Sequence, residues 1–265
     1  MSEVHLSEEP VLFKTFRKWD YSPGLSPFSL RVEARLRLAG IPYKYCATNS
    51  PSKKGRWPYL IVDGEEIADS QCIANALLNR DERSRALDAE LTAEQKAIGK
   101  AFSSMCINSL YFYLIRERWL ENYSTFIPKA FPTLPWYMFF VPSLVHSRTK
   151  RRCQEQGQLD HTFEEATEMA MTELRAVSDF LAASPSRFLF GDTVTNYDID
   201  VYAFVAQFRY NYALSAVDSA LSEHNDGRLA QFIDDVQSAV FPEEAPAFAE
   251  KRREVEQQAL EQIGN

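Results

Sequence analysis

Tyr59-Leu60-Ile61-Val62-Asp63-Gly64-Glu65-Glu66-Ile67-Ala68-Asp69-Ser70 is the stretch on which the fold turns. Two short β-forming runs flank Asp63-Gly64, a dipeptide suited to the positive-φ positions of a two-residue hairpin turn. The runs are therefore expected to pair antiparallel. Asp69-Ser70 then offers capping side chains to a helix that turns Ile73 and Leu77 inward. Upstream, Val11 to Phe16 is a β-rich apolar run that ends in the turn-rich Trp19-Asp20-Tyr21-Ser22-Pro23-Gly24. Ser26-Pro27 opens a helix, with serine at the cap and proline in the first turn. Phe28, Val32, Leu36 and Ala39 recur at helical spacing before Gly40 stops it, and Ile41 to Cys46 reads as a second strand.

The order through residue 80 is thus β-α-β, a link, then β-β-α, the order of a thioredoxin-like α+β domain. Downstream, strand signals vanish after Leu91. Three capping boxes mark helix starts: Thr92 with Gln95, Thr162 with Glu165, and Thr195 with Asp198. Ile98, Phe102, Met105 and Phe112 line one long helix; Phe163, Ala170, Leu174, Val177 and Leu181 line another; Val201, Val205, Phe208 and Tyr212 a third. The expected organisation is a first domain over 1–80, a linker over 81–90 and an all-α domain over 91–265. An insertion near 124–147 breaks the helical pattern with Pro128, Pro132, Pro135 and Pro142. Its aromatics, Phe131, Trp136, Tyr137, Phe139 and Phe140, precede the basic run Arg148, Lys150, Arg151 and Arg152.

The 265 residues are 45% hydrophobic and 13% aromatic, enough for one large core or two modest ones. A formal charge of -8 works against non-specific attraction to nucleic-acid phosphates, so no nucleic-acid partner is expected. The N-terminal MSEVHLSEEP lacks an apolar core behind a basic flank, and no apolar run reaches the roughly 20 residues that span a bilayer. A soluble, cytoplasmic protein is expected. Cys46, Cys72, Cys106 and Cys153 form no Cys-x-x-Cys pair, and the four histidines form no His-x-x-x-His pair. Reduced, idle thiols and no metal are the expectation.

Several runs carry a resemblance: Leu25-Ser26-Pro27-Phe28-Ser29-Leu30, Leu38-Ala39-Gly40-Ile41-Pro42-Tyr43, Gly55-Arg56-Trp57-Pro58-Tyr59 and Ile67-Ala68-Asp69-Ser70. So do Asp88-Ala89-Glu90-Leu91, Arg118-Trp119, Lys150-Arg151 with Gly157, and Phe190-Gly191-Asp192 with Thr195 and Asp198. Together they resemble the glutathione transferase superfamily over nearly the whole chain. More narrowly they resemble its metaxin-like branch, typified by the failed-axon-connections proteins. The resemblance implies the glutathione transferase fold, a glutathione site on the first domain, an apolar-substrate site between domains, and a homodimer.

Ser26 is the candidate for stabilising the glutathione thiolate, because a hydroxyl and the amides of a helix N-terminus meet there; simple capping is its alternative. Tyr21 and Ser22 are reserve donors. Ser26-Pro27-Phe28-Ser29 stands where dithiol-exchange proteins carry Cys-x-x-Cys, and without sulfur those positions do not run dithiol exchange. Many relatives carry cysteine at the second of these positions, where this chain has Ser29. The resemblance further implies that Trp57-Pro58 is a cis bond that turns the backbone toward glutathione. Asp69 and Ser70, ahead of a helix N-terminus, would receive the γ-glutamyl carboxylate, and Lys54, with Lys53 and Arg56, would attract the glycine carboxylate.

Tyr111, Arg116 and Trp119 are the candidates for the apolar-substrate pocket; core packing is the alternative for such a stripe. Two functions follow. One is a glutathione transferase that presents the thiolate to a hydrophobic electrophile. The other is a non-catalytic, metaxin-like adaptor that touches a partner or a membrane surface through the aromatic insertion and its basic flank. The insertion is taken as a roof over the interdomain pocket rather than a membrane contact, because its prolines preclude a long amphipathic helix.

Overall fold

A computed structural model describes residues 6, 8–14, 24–48, 50–131, 140–210, 215–247, 249–250, 252–254 and 257. Tyr21, Ser22, Trp136, Tyr137, Phe139 and Tyr212 therefore lie outside the described residues. Strands β1 (Val11–Lys14), β2 (Lys44–Ala47), β3 (Tyr59–Val62) and β4 (Glu65–Ala68) form one sheet in the order β2-β1-β3-β4. β1 and β2 are parallel, whereas β3 is antiparallel to both β1 and β4. The β3–β4 turn sits on Asp63 and Gly64, both at positive φ, as the Asp-Gly dipeptide requires.

Helix α1 (Pro27–Leu38) ends in a Schellman closure. Gly40 is at φ +62, its N–H donates to the Arg37 carbonyl, and the Ile41 N–H donates to the Leu36 carbonyl. Ile41 is thus committed to the cap and Pro42 has no N–H, so β2 starts at Lys44, three residues later than the sequence suggests. Helix α2 (Ser70–Arg80) follows β4, and the connecting segment carries a short helix, α3 (Glu82–Ala86).

The remainder is helical. A long helical run comprises α4 (Ala93–Met105), a π-helical turn (Cys106–Leu110), α5 (Tyr111–Arg116), a second π turn (Glu117–Glu121) and, past Asn122, α6 (Tyr123–Ala130). Beyond it lie α7 (Val141–Glu155), α8 (Phe163–Ala182), α9 (Asn196–Arg209), α10 (Asp218–Ser222) and α11 (Arg228–Val240). All three capping boxes close reciprocally, at Thr92–Gln95, Thr162–Glu165 and Thr195–Asp198. Each satisfies N–H groups that a helix start otherwise leaves orphaned.

Two apolar cores result. One packs Leu12 and Leu60 of the sheet against Val32 and Leu36 of α1 and Ile73 and Leu77 of α2. The other joins Leu30 and Ala34 of α1 to Leu114, Leu174, Phe204, Phe208 and Phe232 of the helical part. α1 therefore contributes to both cores, and its polar residues Arg31, Glu33 and Arg35 are buried with it. Buried charges demand partners, and those partners shape the candidate site.

Candidate functional site

Sheet topology gathers the candidate residues. Phe13 at the end of β1 pairs with Tyr59 at the start of β3, and Tyr59 pairs with Ala68 at the end of β4. Trp57-Pro58 and Asp69-Ser70 flank those positions, so they share one edge of the sheet. The Asp69 N–H donates to the Pro58 carbonyl at 3.3 Å. β2 begins opposite Val11, at the other edge, and the C-terminus of α1 feeds it. The helix spans about 18 Å, which carries its N-terminus, Ser26, back to the first edge.

Ser26 is half-buried and caps α1, accepting from the Ser29 N–H at 3.3 Å. Its Oγ accepts in that bond and keeps its own proton to donate. The Ser29 hydroxyl, three residues on, is buried and has no hydrogen-bond partner among the described residues. The Trp57–Pro58 peptide is cis, and the half-buried Trp57 donates its indole N–H to the Ser50 carbonyl at 3.1 Å.

Asp69, not Ser70, caps α2: its carboxylate accepts from the Gln71 N–H at 2.9 Å and from Arg56 at 3.2 Å. Asp69 holds φ +84 and ψ +128, a conformation that non-glycine residues adopt at a cost of about 1–3 kcal/mol. Ser70 is buried and accepts from Arg31 Nη1 at 3.4 Å, which leaves its own proton available. Lys53 and Lys54 are exposed.

Arg31 belongs to a network that the sequence reading missed. Its Nε and Nη2 reach the two carboxylate oxygens of Asp200 at 2.6 and 2.8 Å, a bidentate pair, and Nη2 also reaches Gln71 Oε1 at 3.1 Å. Arg35 binds the same carboxylate, and Ser103 donates to it at 2.6 Å. Burial works to raise the pKa of Asp200, but the Arg35 and Arg31 guanidiniums overcome it and hold the carboxyl below the usual range. One carboxylate on α9 thus ties down α1 and α4 and, through Arg31, the first turn of α2. A second clamp acts just before Ser26. Buried Arg118 donates to the Leu25 carbonyl at 3.1 Å and to the side chain and carbonyl of Gln207, while Gln207 donates to the Gly24 carbonyl at 3.1 Å. The sequence signal was faint: Arg118-Trp119 entered only through the resemblance, and no short-range pattern links the charged residues of α1 to those of α9.

The three candidates for an apolar pocket are not brought together. Tyr111 meets α1, its ring edge-on to Phe28 at 4.7 Å, and its hydroxyl accepts from Arg152 at 3.0 Å. Arg116 is buried and engages Glu121 and the carbonyls of Gln158 and His161, which ties the second π turn to the connection before α8. Trp119 packs on Phe126 and Phe131, at 5.3 and 6.0 Å. Two of the four thiols lie near the sheet edge, Cys46 opposite Phe13 on β2 and the exposed Cys72 in the first turn of α2, and the other two are buried in the helical part. Burial pushes Cys153 up to about 11 and Cys106 higher still. Among the described residues no group of three metal-ligating side chains occurs, and no helix is long and apolar enough to cross a membrane.

Residues 27–126 match the family model of the glutathione S-transferase N-terminal domain. Over its length the structure is similar to a glutathione transferase of Phanerochaete chrysosporium, with a TM-score of 0.57 at 14% identity, covering 88% of this chain and 98% of that one. It is also similar to a glutathione S-transferase of Ceriporiopsis subvermispora in complex with glutathione, with a TM-score of 0.51 at 18% identity, covering 88% and 98%. With the sheet order and the edge described above, these show a glutathione S-transferase N-terminal domain over residues 27–126 and the glutathione transferase fold over the chain. The sequence is also similar to failed axon connections of Drosophila melanogaster, 28% identical over 224 residues. That match covers 78% of this chain and 52% of the relative, so the chain spans about half the length of the curated relative it matches.

Proposed function

We propose that this protein binds glutathione at the sheet edge, stabilises its thiolate with the Ser26 hydroxyl and transfers it to a hydrophobic electrophile. The observation that carries this reading is the meeting, at one edge, of the α1 N-terminus with Ser26, the cis Trp57–Pro58 peptide, and the α2 N-terminus with the unusual backbone of Asp69. Solved relatives include glutathione complexes. The residues suit such a tripeptide: two helix N-termini favour anions, Ser70 has a proton to give a carboxylate, and the unpartnered Ser29 hydroxyl gains from a polar neighbour.

A cysteine-like thiol has a pKa near 8.5, so only a few per cent is ionised at neutral pH. Lowering that value by about two units takes roughly 2.7 kcal/mol of preferential interaction with the anion. A charge-assisted hydrogen bond from Ser26 supplies about 1.5–3 kcal/mol, and the dipole of α1 adds about 0.3–1 kcal/mol. The two together reach the requirement. The Arg118–Gln207 clamp holds the backbone before Ser26, and Arg31 holds Ser70, so both hydroxyls are presented from fixed positions. Lys54 lends long-range attraction to the glycine carboxylate. Tyr111, beside Phe28, is the part of the helical region best placed to meet an apolar substrate.

A second reading, a non-catalytic adaptor, is favoured by the likeness to failed axon connections, whose name carries no transferase activity. Calorimetric titration with glutathione, followed by a conjugation assay with a generic aromatic electrophile, separates the two. Binding with turnover supports the transferase, binding without turnover supports the adaptor, and no binding removes the glutathione site.

A further inference from the structure

Ser-Pro dipeptides occur at 22–23, 26–27, 50–51 and 184–185, and the last two carry a basic residue two positions after the proline: Ser50-Pro51-Ser52-Lys53 and Ser184-Pro185-Ser186-Arg187. A protein kinase can select on this pattern. Proline brings no N–H to be left unpaired in an apolar pocket of the enzyme, and the cation meets an acidic site. The structure separates the two copies. Ser184 is half-buried and its hydroxyl is engaged, 2.5 Å from the Ser186 hydroxyl and accepting from the Ser186 N–H at 3.2 Å, while Arg187 is paired with Asp235 at 2.9 Å. Ser50, in contrast, is exposed, and its hydroxyl makes no hydrogen bond among the described residues. Pro51, Lys53 and Lys54 are exposed beside it, and neither lysine has an ion-pair partner among the described residues. Ser52 is buried and closes the loop: its N–H donates to the Arg56 carbonyl at 3.2 Å, its carbonyl accepts from the Gly55 N–H at 2.8 Å, and its hydroxyl accepts from the Arg56 N–H at 3.1 Å.

We infer that Ser50 is a phosphorylation site for a proline-directed serine/threonine protein kinase and that its phosphate weakens glutathione binding; the second half rests on the glutathione reading above. In the transfer the Ser50 Oγ attacks the γ-phosphorus of a nucleoside triphosphate and the bond from that phosphorus to the bridging oxygen breaks. The nucleoside diphosphate leaves, and the hydroxyl proton passes to the kinase's base. The product carries a charge of about -1.5 to -2 at neutral pH. Its position decides the consequence. The Ser50 carbonyl accepts from the Trp57 indole N–H at 3.1 Å, so the serine is tied to the residue that leads into Pro58, whose carbonyl receives the Asp69 N–H at 3.3 Å. Lys53 and Lys54, three and four residues on, are the cations proposed to draw the glycine carboxylate, and Arg56 is already paired with Asp69 at 3.2 Å. A phosphate on Ser50 offers those two ammonium groups a closer anion and opposes the incoming carboxylate. Both effects act between exposed groups, so they are modest in size and screened by salt.

Incubation of the folded full chain with a purified proline-directed kinase and ATP, read by intact mass and peptide mapping, tests the site. A single phosphate on Ser50 is expected, absent in Ser50→Ala, with the initial rate lowered at least about tenfold in Pro51→Ala and at least about threefold in Lys53→Ala. Ser50→Ala should match wild type in thermal midpoint and in glutathione affinity, because only an exposed, unbonded hydroxyl is lost. No incorporation, incorporation that persists in Ser50→Ala, a phosphate on Ser184 instead, or incorporation only into the heat-denatured chain would overturn the site. Calorimetric titration with glutathione then compares the phosphorylated and unmodified proteins. A Kd raised about three- to tenfold at low ionic strength, with the difference falling below about twofold at about 0.5 M salt, is expected. Equal affinities would overturn the regulatory half and leave the glutathione site standing. Absence of binding by the unmodified protein would remove the glutathione reading and the regulatory half with it, while the mass measurement still decides whether Ser50 is the site.

Discussion

Asp198 accepts from the backbone N–H of Leu189 and from both the N–H and the hydroxyl of Thr195, all within a fully buried helix start. Burial raises its pKa and these donors lower it, with a net value of about 6. The unfolded chain has a value near 3.9, so its contribution to stability is fully present below about pH 4 and is lost as pH rises through about 6. Asp198→Asn has nothing to titrate there. Between about pH 4 and pH 7 wild type should lose about 2 kcal/mol relative to this variant, whatever their absolute offset. Urea unfolding of both proteins across that range measures it, and a pH-independent difference would contradict the assignment. The capping role of Asp198 was legible, because Thr-x-x-Asp before an apolar run is a local pattern. Its titration was not, since that depends on burial by distant segments.

Gly99 faces the ring of Tyr197 on α9, and a methyl group placed on it would sit 2.4 Å from the ring's Cγ. That atom lies next to the backbone of its residue and has little freedom to yield. Gly99→Ala gains about 1 kcal/mol of helix propensity, but overpacking costs about 1–3 kcal/mol. A net loss of stability is expected by thermal or chemical unfolding; a more stable variant would show that α4 and α9 can move apart. The same contact explains a difference between the sequence reading and the structure. Ile98, Phe102, Met105 and Phe112 are half-buried flanks, whereas the deeply buried line runs through Gly99, Ser103, Cys106, Leu110 and Tyr113. Close helix packing selects small residues, and a search for large apolar ones passes beside that face. The two π turns shift the face again without altering composition. The β3–β4 hairpin was legible because Asp63-Gly64 fixes its own turn. The start of β2 was not, because Ile41 is drawn into the cap of α1.

The two parts of the molecule are joined by charge as well as by apolar packing. Arg31 and Arg35 of α1 share Asp200, 169 residues beyond Arg31 in sequence, and Arg35 also donates to the Asn196 carbonyl. Asn196 in turn is held by Asp88 and the Ser84 carbonyl in the connecting segment. No short-range pattern announces such a pair. Asp200→Asn removes the charge that neutralises two buried guanidiniums, and the loss is expected to be about 3–5 kcal/mol in denaturant unfolding; a loss below about 1 kcal/mol would mean that water or Asp88 already compensates them. Arg31 also reaches Ser70, so this network links the packing of the two parts to the edge where glutathione is proposed to bind. The central claim is that Ser26 stabilises a bound thiolate at that edge, and ultraviolet titration of the glutathione thiolate in complex with wild type and Ser26→Ala tests it most directly. The expected result is a bound thiol pKa about two units below the free value in wild type, returning most of the way in Ser26→Ala with affinity changed far less than turnover; an equal bound pKa in both proteins, or no thiolate shift on binding, would contradict it.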